Sequence, residues 1–164
     1  TLRLEPVFDT ERPVGSTRDM RTWYTTRVTE PTQRSQISHI VVDSGWEKYA
    51  ANAAETHPEV AAWAKNDHLG FHILYLWNGT KRKYIPDFLV RYNSGKTLVL
   101  EIKGEDSPQD QAKRQALAQW VQAVNAQGGL GSWAWDVVLG NASALQDMLA
   151  RHAAPGGPTG PAYS

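Results

Sequence analysis

An aspartate, a glutamate and a lysine fall where strand geometry can bring them together. The run Leu98-Val99-Leu100-Glu101-Ile102-Lys103 alternates, so Leu98, Leu100 and Ile102 share one face while Glu101 and Lys103 share the other. Upstream, Pro86-Asp87-Phe88 sets a second carboxylate at the start of the apolar run Asp87-Phe88-Leu89-Val90. A turn at Asn93-Ser94-Gly95 folds the two runs antiparallel, which lays the start of one beside the end of the other. Asp87 and Glu101 are therefore expected to converge. Two carboxylates and an ammonium within apolar strands are costly unless compensated. A divalent cation would compensate them. Mg²⁺ takes few carboxylate oxygens and keeps several waters, so two acids and a strand carbonyl, that of Ile102, suit it. Such an ion polarises a phosphodiester and acidifies a bound water, with Lys103 placed to orient that water or offset developing charge. The alternative for the same three residues is a structural ion pair between strands.

The elements that must position them are legible in outline. From Gly45, the residues Trp46, Tyr49, Ala50, Ala53, Ala54, Val60, Ala61 and Ala62 recur at helical spacing, with Ser44 as N-cap and an interruption at His57-Pro58. Three strands in a meander follow, at Gly70–Trp77, Tyr84–Tyr92 and Thr97–Lys103, punctuated by Asn78-Gly79 and Asn93-Ser94-Gly95. Gln109–Ala126 carries Ala112, Ala116, Leu117, Trp120, Val121 and Val124 on one stripe and reads as a helix stopped by Gly128 and Gly129. Trp133–Leu139 reads as a further strand, and about Ser143 to His152 as a short helix. The order is α-β-β-β-α-β, an α/β domain with a mixed central sheet flanked by helices. Residues 1–38 are polar, contain Pro6, Pro13 and Pro31, and read as a partly structured lead-in with one short strand near Arg21–Arg27. Residues 39–152 form the domain. Residues 153–164, rich in Pro and Gly, are expected to be disordered.

Composition narrows the chemistry. With 164 residues, one domain of ordinary size is expected. The absence of cysteine excludes disulfide scaffolds, zinc ribbons and thiol nucleophiles, leaving oxygen or imidazole ligands for any metal. The 17 basic and 17 acidic residues cancel, so polyanion binding has to be local. The first ten residues show no basic start followed by an apolar stretch, and no run is apolar enough to span a bilayer, so residence in the cytoplasm is expected.

Pro86-Asp87, thirteen residues, then Glu101-Ile102-Lys103 resembles the signature of the PD-(D/E)xK nuclease superfamily, whose common core has the element order inferred above. The stretches PVGST, SHIVVDSGWE, HPEVAAWAKNDHLGF, RKYIPDFLVR and LEIKG are similar to the C-terminal endonuclease domain of type III restriction enzyme Res-like subunits and related helicase-nucleases. This similarity runs from roughly Pro13 to Val138. It implies a restriction-endonuclease-like fold and a DNA endonuclease in which Asp87 and Glu101 hold Mg²⁺, or Mn²⁺ in its place. It also implies that Lys103 assists hydrolysis and that Glu47, on the first helix, completes the site. A 5′-phosphate and a 3′-hydroxyl would be left. Gln109 and Lys113 match the polar positions that follow the lysine. The family's helicase/ATPase portion would be the partner, since no GxxxxGK(S/T) motif occurs here.

Two further features bear on DNA. Lys81-Arg82-Lys83, just ahead of the acidic motif, and Arg91 beyond it can contact phosphates. A charged hairpin end is the plainer reading of the same residues. Glu47 can equally be a first-turn glutamate favoured by the helix dipole, and Gln109 and Lys113 ordinary solvated positions.

Overall fold

The computed structural model describes Met20, Thr25, Arg27 and residues 29–41, 45–139 and 143–162. The expected strand near Arg21–Arg27 and the Ser44 cap lie outside the described residues, apart from Thr25 and Arg27. A short hairpin, β1 (Thr29–Pro31) with β2 (His39–Val41), leads into α1 (Gly45–Thr56). There follow β3 (Val60–Lys65), β4 (Ile73–Trp77), β5 (Thr80–Tyr84), β6 (Phe88–Tyr92) and β7 (Thr97–Lys103). The chain continues through α2 (Pro108–Gln127), β8 (Trp133–Leu139) and α3 (Ala144–Ala153). The result is an α/β fold with a mixed central sheet in the order β3-β6-β7-β8. β6 runs antiparallel to β3 and β7, whereas β7 and β8 are parallel, as a crossover through α2 requires.

The first strand of that sheet differs from the expectation. Val60, Ala61 and Ala62 belong to β3, not to the first helix. Pro58 has no amide hydrogen to continue the helical ladder and disfavours helix at His57, so α1 stops at Thr56. Beyond the break Val60, Trp63 and Ala64 are buried against the sheet and tertiary packing sets their conformation. The strand expected at Gly70–Trp77 is shorter and lies outside the central sheet: Ile73–Trp77 is extended and pairs with β5 as a separate hairpin. The expected strand Tyr84–Tyr92 is split at Ile85-Pro86-Asp87, with Tyr84 ending β5 and Phe88 starting β6. With the hairpin set aside, the order α1-β3-β6-β7-α2-β8 remains.

Each face of the sheet carries its own apolar layer. Trp63, Phe88, Val90, Leu98 and Leu100 pack with alanines of α1 and with Leu145, Met148 and Leu149 of α3. On the other face Val99 packs with Leu117 and Val121 of α2 and with Ile73, Tyr75 and Tyr84 of the hairpin. α2 starts sharply. Ser107 accepts from the Asp110 amide while Asp110 accepts from the Ser107 amide, a reciprocal capping box, with Pro108 in the first turn.

Both edges of the sheet are covered. Outside β3, the amide of Gln36 donates to the Trp63 carbonyl at 3.0 Å and that of Trp63 to the Arg34 carbonyl at 3.3 Å. Residues 34–36 of the lead-in are thus part of the domain. Outside β8, the Trp135 amide donates to the Thr159 carbonyl at 3.0 Å, and Gly160 lies against the Trp135 ring, where a Cβ would come within 3.2 Å. The Pro/Gly tail, expected to be disordered, therefore meets the sheet at Thr159 and Gly160. An exposed β8 edge offers unpaired backbone groups, and the tail satisfies one of them. Among the described residues, no helix is long and apolar enough to cross a membrane.

Candidate functional site

The β6–β7 ladder ends at Phe88↔Leu100. The next opposed pair, Asp87 and Glu101, is held by side chains in place of ladder bonds. The Asp87 amide donates to Glu101 Oε2 at 3.2 Å, and the Ile102 amide donates to Asp87 Oδ2 at 2.8 Å. The expected convergence of these acids is what the geometry shows. Pro86 cannot donate to a ladder, which is one reason the strands part here. On its other side β6 stays anchored, since the Asn66 amide donates to the Asp87 carbonyl at 2.8 Å.

Glu101 is 4% exposed, and each of its oxygens is engaged. Oε2 also accepts from the Tyr84 hydroxyl at 2.9 Å, and Oε1 faces Lys103 Nζ at 3.2 Å. Lys103 in turn lies 3.2 Å from Asp110 Oδ1 at the start of α2, and Lys113 lies 3.6 Å from the same oxygen. Glu101, Lys103 and Asp110 thus form a chain of alternating charge between the sheet and α2. Lys113 also sits 5.9 Å from the centre of the Tyr84 ring. On the opposite side, Glu47 of α1 meets Lys65 of β3 at 3.2 Å, and Lys65 also donates to the Val41 carbonyl at 2.7 Å.

The electrostatics follow from this layout. Burial and the neighbouring Glu101, with a smaller push from Glu47, raise the Asp87 carboxyl to about 7, although the Ile102 amide and Lys103 pull it back. Burial works against the charge of Lys103, but Glu101 and Asp110 outweigh it and hold the ammonium above its usual value. Burial likewise opposes ionised Asp110, yet hydrogen bonds from Ser107 and Lys103 and the nearby ammoniums bring it down to about 2. The Tyr84 hydroxyl, buried beside Glu101, is pushed far up and stays protonated as a donor.

The remaining sequence candidates divide. Lys113 is brought to the site. Gln109, one turn earlier, donates to the Tyr75 hydroxyl at 2.8 Å and is part of the packing of α2 on β4. Lys81, Arg82 and Lys83 are exposed on β5, and alternation splits them, Arg82 lying opposite Tyr75 on the face toward α2 and the two lysines on the outer face. Arg91 is four residues along β6 from Asp87, about 13 Å at strand rise, and its Nε donates to Thr97 Oγ1 at 2.9 Å. It stands away from the acids. Tyr84, Lys65 and Asp110 were not singled out by the sequence. Only Asp110 carried a readable signal, the Ser107-x-x-Asp110 capping pattern.

Among the described residues, no group of three or more His, Cys, Asp or Glu side chains is placed to hold a metal ion. The donor set is thus a pair of carboxylates. Of that pair, Glu101 already has a partner on each oxygen, and Asp87 Oδ2 accepts from the Ile102 amide. No family model, curated protein or solved structure matches the chain.

Proposed function

We propose that this chain is the metal-dependent endonuclease domain, restriction-endonuclease-like in fold, of a larger helicase-nuclease, and that it hydrolyses DNA phosphodiester bonds. The observation that carries this reading is the interlocked pair of Asp87 and Glu101 where β6 and β7 part, with Lys103 on the same carboxylate. Asp87, Glu101 and the Ile102 carbonyl would hold Mg²⁺, or Mn²⁺ in its place. When bound, such an ion polarises the phosphodiester and lowers the pKa of a coordinated water.

The protein groups have separate tasks. Lys103 keeps its proton and offers N–H to the attacking water or to the charge that develops on phosphate. Asp110 anchors Lys103 from the start of α2 and so sets where that ammonium points. Tyr84 fixes Glu101 from the hairpin side. Glu47, held by Lys65, adds negative potential on the α1 side and acts on waters of the site. Lys113 and Arg82 would meet phosphates. The helicase portion would deliver the DNA.

A second reading, a docking module on the same fold without chemistry, draws on the pairing of both glutamates with lysines. Nicking of supercoiled plasmid in Mg²⁺ separates the two. Wild type should nick, and Asp87→Ala and Lys103→Ala should each abolish it; cleavage by both variants at the wild-type rate would refute the assignment.

A further inference from the structure

The turn Asn78-Gly79 fixes which way the backbone of β4 faces. Both residues have positive φ, 50° and 74°, as the type I′ turn of a two-residue hairpin demands. In such a hairpin the residues flanking the turn, Trp77 and Thr80, exchange hydrogen bonds, and bonded and non-bonded pairs then alternate. Tyr75↔Arg82 and Ile73↔Tyr84 are therefore bonded pairs. Leu74 and Leu76 turn their N–H and C=O groups away from β5. β5 is the one strand that pairs with β4 among the described residues, so among these residues those groups form an open edge.

This edge borders a groove. Leu74, Leu76 and Lys81 line it on the hairpin side, and Ala112, Ala116 and Gln119 line it on α2, the groove being open to solvent with a volume of about 420 Å³. The alanines keep its floor low. Leu74 and Leu76 are 52% and 67% exposed. Lys83 and Lys81 stand directly opposite them on the outer face of the hairpin, and no carboxylate lines the groove. Residues 34–36 and Thr159 bond to the edges of the central sheet, whereas no described residue outside β5 bonds to the backbone of β4 at Leu74 and Leu76.

We propose that the groove binds an extended acidic peptide segment of a partner protein, added as a strand to β4. Such a strand supplies both donors and acceptors to the Leu74 and Leu76 backbone. Alternation sends one set of its side chains onto Ala112 and Ala116, where apolar groups fit. The other set lies beside Leu74 and Leu76, where carboxylates reach Lys81 and Lys83. A phosphodiester backbone meets the lysines but has no donor for the two carbonyls, which favours peptide over nucleic acid. The surface is independent of the acid pair.

A fluorescein-labelled peptide alternating Glu and Val tests it, with a Lys/Val peptide and oligothymidylate as competitors. The acidic peptide should bind by anisotropy and slow amide exchange at Leu74 and Leu76, and neither competitor should displace it. Leu76→Pro removes an outward N–H that the β5 ladder does not use, and should weaken binding about tenfold or more. Ala116→Glu, which fills the floor with a like charge, should do the same and covers the case in which the proline variant fails to fold. Absence of peptide binding, binding unchanged in both variants, or protection of these amides by oligothymidylate instead would overturn the proposal.

Discussion

Asp87 and Glu101 grip each other through the backbone: the amide of one donates to the other's carboxylate, and the amide after Glu101 donates back to Asp87. Burial and the nearby Glu101 carboxylate raise the Asp87 carboxyl, whereas Lys103 and Tyr84 lie against Glu101.

That asymmetry makes stability depend on pH. The folded Asp87 carboxyl titrates at about 7 against an ordinary 3.8, so folding favours its protonated form. Its contribution is fully present below 3.8 and is lost as pH rises through about 7. Asp87→Asn keeps the shape and removes the titration. In urea denaturation the variant should be more stable than wild type at pH 8 and should show a flatter profile between pH 4 and 7; parallel profiles would contradict this.

Proton and metal should compete for the same carboxyl. Calorimetric titration with Mn²⁺ is expected to show affinity rising from pH 6 to pH 8, with protons released on binding below about 7, the value at which Asp87 titrates. Asp87→Asn should remove both the heat and the proton release. A pH-independent heat retained in the variant would place any metal elsewhere.

Lys65 and Glu47 form a largely buried pair, with side chains 9% and 18% exposed. Lys65→Met takes an ammonium away from Glu47 and a donor away from the Val41 carbonyl, so it should cost about 2 kcal/mol of stability. The double variant Lys65→Met with Glu47→Gln should recover part of that loss. Additive losses in a double-mutant cycle would mean that the two side chains do not act as a pair.

Truncation after Ala154 should uncover the Trp135 amide on the β8 edge and the Trp135 ring, which Thr159 and Gly160 contact. The shortened chain is expected to lose exchange protection at the Trp135 amide, show red-shifted tryptophan emission and self-associate more readily. Unchanged protection at that amide would show that the tail contributes nothing to the edge.

Much of the site was legible because period-two alternation is local. Glu101 and Lys103 share a face from sequence alone, and a short turn at Asn93–Gly95 suffices to bring Asp87 beside them. The misreadings also have a local cause. Val60-Ala61-Ala62 is rich in alanine, which suits a helix, and nothing nearby says that Val60 will be buried opposite Tyr92. Likewise Ile73–Trp77 has strand character, but which strands it joins is a matter of partners far along the chain. Proline and glycine in the tail argued for disorder because the sequence does not reveal that the β8 edge lies open to receive them.

By itself the sequence determined which residues alternate, where proline and glycine break the elements, and that no thiol chemistry is available, since these depend on neighbours within a few positions. The tertiary structure alone decided that Val60–Lys65 flanks β6, that Lys65 neutralises Glu47, that Tyr84 and Asp110 complete the surroundings of Glu101 and Lys103, and that Arg91 stands apart. Those facts rest on contacts between residues distant in sequence, whose burial and pairing are fixed only when the sheet and its covering helices pack.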